Sequence, residues 1–406
     1  MMGGYIIGPY LNEYYNGHDD EFHRQVADVD ARIQLVMDLR RGKLLKVFPY
    51  TVNGNTTWYA PTDIMPESAV APADRLYMQN VFSLIYQEAL AGNMASVGNI
   101  ADKMLRYQHK NGGSSLPSGV QTRAERLYNA VPFATILFML NLGMGFATLF
   151  AVLWLMTRPT RRTLRGSMLM KTAVAVMLLS FAALTLCVAL RWLIRGTAPM
   201  ANGYETMLLM AWIIMAASLL LCRRFAIVLT FGFIMSGFFL LVSHISQMDP
   251  QITHIMPVLQ SPLLSIHVSV IMTAFALLSL TFICGITALL LRAMRGSRAE
   301  GLAAQLAALR ALSQLFYYPA MAAPAVGIFV GAVWANVSWG TYWSWDAKEV
   351  WALITFMVYA AAAHGTSLPM MRRPMPWHVF MVAAFATILM TYFGVNYFLG
   401  GMHSYA

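Results

Sequence analysis

From about residue 131 onward the chain is a succession of long apolar runs separated by short polar breaks. Runs fall at about 131–157, 170–190, 204–221, 225–243, 264–291, 316–334, 349–367 and 377–399, eight in all. Each approaches the roughly 20 apolar residues that a helix needs to cross the hydrocarbon of a bilayer. The pattern predicts an all-α polytopic membrane domain over 131–406 with about eight transmembrane helices. The first third is patterned differently. Phe22, Val26, Val29, Ile33 and Val36 recur at helical spacing, and Leu44 to Tyr59 reads as two short strands around Asn53-Gly54-Asn55. Leu76 to Tyr107 is again helical, with Phe82, Ile85 and Tyr86 on one face, and Lys110 to Ser115 breaks it as a loop. Residues 1–130 therefore predict a separate α/β domain.

Composition agrees with this division. The chain is 58% hydrophobic and 11% charged, where soluble domains carry about 25% charged residues. Residues 1–130 hold 12 Lys/Arg and 13 Asp/Glu, whereas 131–406 hold 16 and 5. A net charge of +10 raises nucleic acid as a partner. The basic residues sit between apolar runs, however, so topology accounts for them and no nucleic acid is expected.

Their distribution orients the helices. The connections 158–171, 222–224, 292–315 and 368–376 hold 13 of the 16 basic residues of this region, among them Arg161, Arg162, Arg223, Arg224, Arg372 and Arg373. The opposite side holds only Arg191, Arg195 and Lys348. Cytoplasmic loops are the Lys/Arg-rich ones. The domain 1–130, the connections 191–203, 244–263 and 335–348, and the C-terminus are thus expected outside an inner, cytoplasmic membrane. Met1 to Asn12 has neither a basic leading region nor a long apolar core, so it does not read as a signal peptide. Export of 1–130 then calls for an upstream partner segment, fused or truncated away.

Candidate chemistry is concentrated in a few places. Cys187, Cys222 and Cys284 form no C-x-x-C pair and lie in or beside apolar runs, so the chain is not itself a thiol–disulfide carrier. His18, His23 and His109 read as solvated surface histidines. The stretch 334–349, expected as an outer loop, is the informative one: Trp334, Trp339, Trp343 and Trp345 fall within twelve residues, with Gly340 and Asp346 among them, and Trp351 follows. An interfacial belt scatters one or two aromatics per helix end. Packing four into one loop with Asp346 instead makes an aromatic platform for a large planar ligand. His267 opens the fifth run on the same side, and His403 follows the eighth. Two histidines on the face of such a platform fit axial ligation of a haem iron. His364 lies in the seventh run toward the cytoplasmic end, where an ionisable residue is a functional candidate by default. Asp346 and His364 are 18 residues apart, roughly 27 Å of helix, which implies two haem stations. Arg191, Arg195 and Lys348, the basic residues of the outer side, are candidate partners for haem propionates. His378, beside Trp377, Arg372 and Arg373, reads as an interface anchor. No residue stands out as a general base, and iron enters only through haem.

Trp339-Gly340-Thr341-Tyr342-Trp343-Ser344-Trp345-Asp346, continued by Lys348-Glu349-Val350-Trp351-Ala352-Leu353-Ile354-Thr355, resembles the tryptophan-rich signature of the CcsA/ResC branch of cytochrome c biogenesis proteins. Arg195 to Thr206, Pro257 to Ser261 leading to His267, and the ending Gly400 to Tyr405 resemble further segments of that family. The likeness covers about 130–406, while 1–130 loosely resembles an extracytoplasmic part of a CcsB/ResB subunit. The resemblance implies that His267 and His403 ligate an outer haem and that His364 meets haem inside the membrane, with a second ligand there supplied by a CcsB/ResB-like membrane subunit. It implies haem b as substrate and a haem lyase reaction, active with that subunit. This reaction joins the haem vinyl groups to the thiols of a C-x-x-C-H motif in apocytochrome c. Thiol-reducing proteins would be involved indirectly. Two alternatives stand beside it: a haem exporter or chaperone that hands haem on without attachment, and a quinone-linked electron-transfer protein. No helix carries two histidines at the spacing of stacked haems, which speaks against the last.

Overall fold

The computed structural model describes residues 5–18, 20–65, 72–157, 167–244, 248, 250–252, 257–295, 301–365 and 367–399. The chain divides into two compact units, Met1–Val120 and Gln121–Ala406.

The first unit contains α1 (Gly8–Tyr15), α2 (Glu21–Arg40), β1 (Phe48–Val52), β2 (Asn55–Tyr59), α3 (Pro72–Leu90) and α4 (Met94–Asn111). Asp20 caps α2 by accepting the backbone N–H of His23 at 2.8 Å. The strands pair antiparallel from Phe48↔Tyr59 to Val52↔Asn55. Asn53 (φ 50) and Gly54 (φ 81) both occupy the left-handed region that a two-residue hairpin demands. This hairpin is the only sheet among the described residues, so the unit is helical with one hairpin rather than the expected α/β domain. The run Leu76 to Tyr107 is two helices, because Gly92 turns left-handed (φ 75) between them. Phe48, Met65, Met78, Val81 and Ile100 form the core. His23 is not the solvated residue expected. It is 8% exposed, with Nδ1 2.7 Å from Asp20 and Nε2 3.0 Å from Glu13. The bond to Glu13, then that to Asp20, raises its pKa above the usual histidine value.

The boundary falls in the first turn of α5 (Gly119–Ala130), and the second unit continues through α6 (Phe133–Thr157), α7 (Met168–Arg195), α8 (Gly203–Leu221) and α9 (Ile227–Val242). It ends with α10 (Pro262–Arg295), α11 (Leu302–Trp339), α12 (Ala347–Ala361), α13 (Pro374–Leu389) and a π-helical continuation, Met390–Leu399. Among the described residues six helices are long and apolar enough to cross a membrane: α6, α7, α8, α10, α11 and α13 with its continuation. The fourth and seventh runs form the shorter α9 and α12, of 16 and 15 residues. The chain is a mostly helical, multi-pass membrane protein. Buried Asn141 binds three helices together, accepting from Ser180 Oγ at 2.8 Å and donating to Ser236 Oγ at 3.1 Å. Such polar bonds substitute for the hydrophobic drive that lipid removes.

Helix ends depart from the sequence reading at two functional places. α11 starts after Gly301 and continues until Gly340 adopts a left-handed φ of 79. No proline or glycine falls between Gly331 and Gly340, so Trp334 to Trp339 is helical and the loop shrinks to 340–346. Residues 302–315, expected in a cytoplasmic connection, are helix as well. α12 stops at Ala361, within a run of alanines before Gly365. His364 is therefore exposed in the turn after the helix, not inside it.

Candidate functional site

The tryptophans sit where α11 gives way to α12. Trp334, 2% exposed, packs edge-on against Trp339 at 4.8 Å between ring centroids. Past Gly340, Trp343 meets Trp345 edge-on at 6.0 Å. The four rings form two T-shaped pairs rather than one flat stack, as the ring quadrupole favours. Trp345 is 75% exposed and holds a φ of 59, rare for a residue with a side chain.

A capping box locks this conformation in place. Asp346 accepts the Lys348 N–H at 2.8 Å, while Glu349 accepts the N–H groups of Ser344 and Asp346 at 2.9 and 3.3 Å. Asp346 thus shapes the loop through the start of α12. Lys348 donates through Nζ to Asn396 of the π-helical segment at 2.8 Å, joining the loop to the end of α13's continuation.

His267 stands in the second turn of α10, half-buried against α11. Its Nδ1 donates to the Gly327 carbonyl at 2.7 Å. A carbonyl carries no proton, so Nδ1 holds the hydrogen and Nε2 is the basic nitrogen. The ring overlies Gly331, one turn before Trp334, or about 4.5 Å along the helix at 1.5 Å per residue. The fold therefore brings His267 to the tryptophan end of the bundle. His403 and the ending Gly400 to Tyr405 lie outside the described residues.

Arg191 and Arg195 meet a residue that the sequence reading passed over, Glu205. Arg191, 1% exposed, donates to Glu205 Oε1 through Nε and Nη2 at 3.2 and 2.8 Å. Its Nη1 reaches Tyr128 Oη and the Pro250 carbonyl at 2.6 and 2.7 Å. Arg195 donates to Glu205 at 2.6 Å, and so does the Ala201 N–H at 2.9 Å. Arg191 is thus committed to protein partners. Glu205 was detectable as one of only five acids after residue 130, at the head of an apolar run.

The opposite end of the bundle holds a second polar group. His378, 0% exposed, donates from Nε2 to the Leu306 carbonyl at 3.3 Å. Trp377 donates to Ser313 at 3.0 Å, and the Arg310 guanidinium lies 5.3 Å from its ring. His378 is therefore buried between helices and is not an interface anchor. His364, at that same end, is exposed in the turn after α12.

A family model described as "Cytochrome C assembly protein" matches residues 200–403. "Protein NrfI" of Wolinella succinogenes is 30% identical over 95% of this chain and 42% of its own length. "Cytochrome c biogenesis protein CcsA" of Synechococcus sp. (strain CC9311) is 33% identical over 55% of this chain and 84% of its own. The chain spans less than half of NrfI. The solved structure of "Cytochrome c Heme Lyase CcmF" aligns at a TM-score of 0.44 with 18% identity, over 64% of this chain and 45% of that one.

Proposed function

The chain belongs to the cytochrome c assembly protein family, and on that premise we propose that it carries haem to the outer membrane face and takes part in its covalent attachment to apocytochrome c. The observation that carries this reading is His267, with its Nδ1 tied to Gly327 and its ring over Gly331, one turn from Trp334. An imidazole whose other nitrogen bonds a carbonyl is the usual form of a metal-bound histidine. A cluster of tryptophans beside it suits a large planar ligand.

In this reading haem b is the substrate. His267 and His403 are its axial ligands at the outer station, with Trp334, Trp339, Trp343 and Trp345 around the ring and Asp346 fixing their loop. Arg195 and Lys348 are the candidates for the propionates, since Arg191 has all three nitrogens engaged by Glu205, Tyr128 and Pro250 whereas Arg195 gives Glu205 Nη1 alone. His364, in the turn past α12, meets haem at the opposite station together with a ligand from a CcsB/ResB-like subunit. The bundle crosses the inner membrane eight times, α9 and α12 included, with residues 1–130 and the C-terminus outside. Residues 131–406 form the haem-handling domain and 1–130 a CcsB/ResB-like extracytoplasmic one.

The chemistry asked of the protein is positional. Each thiol of a C-x-x-C-H motif adds across a vinyl double bond. The C–S bond forms, and the thiol hydrogen ends on the neighbouring carbon, with no net oxidation. Holding vinyl and thiol in contact converts a bimolecular encounter into an intramolecular one. Thiol-reducing proteins act upstream by keeping the substrate cysteines reduced. Co-expression with the partner subunit and a C-x-x-C-H reporter tests the proposal. Covalent haem on the reporter is expected, and its loss in His267→Ala. Haem accumulation with no covalent product, on a reporter verified as reduced, would favour the exporter instead.

A further inference from the structure

We propose that Gly331 and Gly327 are positioning residues for His267: a two-glycine notch on α11 that seats the ring and selects which nitrogen it presents. The inference rests on the haem reading above and assigns residues that the reading itself does not need.

The notch is visible in what side chains would strike. A Cβ on Gly331 would stand 2.5 Å from Cε1 and 2.6 Å from Nδ1 of His267. A Cβ on Gly327 would stand 2.5 Å from Cδ1 of Ile271. His267 and Ile271 are one turn apart on α10, as Gly331 and Gly327 are on α11, so each α10 side chain rests on bare α11 backbone. Glycine costs about 1 kcal/mol relative to alanine in a helix interior, so its presence twice at this spacing needs a reason. Close approach of helix backbones is the general one. Here the approach also brings the Gly327 carbonyl within 2.7 Å of Nδ1. That carbonyl has a second lone pair beyond its intrahelical bond. Accepting from Nδ1–H fixes the tautomer, directs Nε2 to the metal and raises its basicity. A ring displaced by a Cβ at residue 331 would lose this bond, because a planar imidazole cannot bend away as a flexible chain would.

The experiment uses the full chain co-expressed with its partner subunit and follows the visible spectrum and haem retention. Gly331→Ala should weaken outer haem about 10–100-fold, the range for losing a partner of a metal ligand. Added imidazole should restore it, as in His267→Ala. Gly143→Ala is the control, since a Cβ there meets nothing within 4 Å, and should behave as the parent. The double variant His267→Ala/Gly331→Ala removes the clash and should accept imidazole as well as His267→Ala does. A parent-like spectrum in Gly331→Ala, with His267→Ala impaired, would overturn the positioning role and leave the haem reading standing. Failure of imidazole to fill Gly331→Ala or the double variant, while it fills His267→Ala, would make the notch a packing feature only and also overturn it. A parent-like spectrum in His267→Ala would overturn both.

Discussion

Removing the Glu205 carboxylate should be among the most damaging single changes in the membrane unit. Glu205 and Arg191 have side chains 0% and 1% exposed, and Arg195 is 7% exposed. The carboxylate accepts two bonds from Arg191, one from Arg195 and one from the Ala201 N–H. Glu205→Ala leaves two guanidinium groups together with no anion and an amide with no acceptor. Breaking a buried pair by removing one partner costs about 3–5 kcal/mol, which at about 1.4 kcal/mol per tenfold is a factor of about a hundred to a few thousand in the folded population. The second arginine places the loss at the upper end. Glu205→Gln should fare little better, because its NH2 would face the arginine donors. By contrast, Arg191→Met/Arg195→Met/Glu205→Leu should recover most of the loss, since burying apolar groups of similar volume is neutral to favourable by about 1–4 kcal/mol. Thermal unfolding of the purified chain in detergent, with its steady-state level in the membrane, reads the series. Glu205→Ala melting with the parent, or the triple variant as unstable as the single one, would refute the account.

Three further outcomes follow from the geometry. Asp346→Ala should destabilise the start of α12 by about 1 kcal/mol and release Trp345 from its left-handed backbone. A red shift of loop tryptophan fluorescence should report the release, and an unshifted spectrum would remove Asp346 from its positioning role. His23 has a raised pKa because Glu13, then Asp20, accepts from its ring, so its contribution is complete below the unfolded value of about 6.5 and lost as pH rises through the folded value. Protection of α1 against hydrogen exchange, corrected for intrinsic rate, should fall across that interval in the parent and stay flat in His23→Gln. Losing a charge-assisted bond worth about 1.5–3 kcal/mol should weaken haem retention about 10–100-fold in Arg195→Met or Lys348→Met, and unchanged retention in both would exclude these two as propionate contacts.

Much of the architecture could be read from local pattern. Apolar runs located the helices of the second unit because lipid imposes one simple rule on every turn. The Asn53-Gly54 hairpin was legible because only residues tolerant of positive φ fit it. What escaped was decided by distant partners. Nothing local says that α11 continues through Trp339, since tryptophan neither starts nor stops a helix. The stop comes from Gly340. Nothing local places His364 outside α12, since the alanines 360–363 before it favour helix. Arg191 looked available because its acceptors lie 14, 59 and 63 residues away. The glycines at 327 and 331 carry no local signal of a role, because what rests on them, Ile271 and the ring of His267, comes from another helix.

The spacing of the Arg191–Arg195–Glu205 group also bears on biosynthesis. A chain delivered into a membrane from its N-terminus presents the two arginines at the tail of one span. The acid follows 14 and 10 residues later, at the head of the next. Both lie in one helical hairpin, joined by a connection of only 196–202. Their charges can meet while α7 and α8 leave the insertion machinery as a pair, before α10 to α13 have entered the membrane. The penalty for a lone cation at the membrane boundary is thereby removed early. Pro250, arriving later, adds only a neutral carbonyl to a group already neutralised. Moving the acid to a later span would keep the final bonds possible on paper and yet leave two unpaired charges waiting through most of translation.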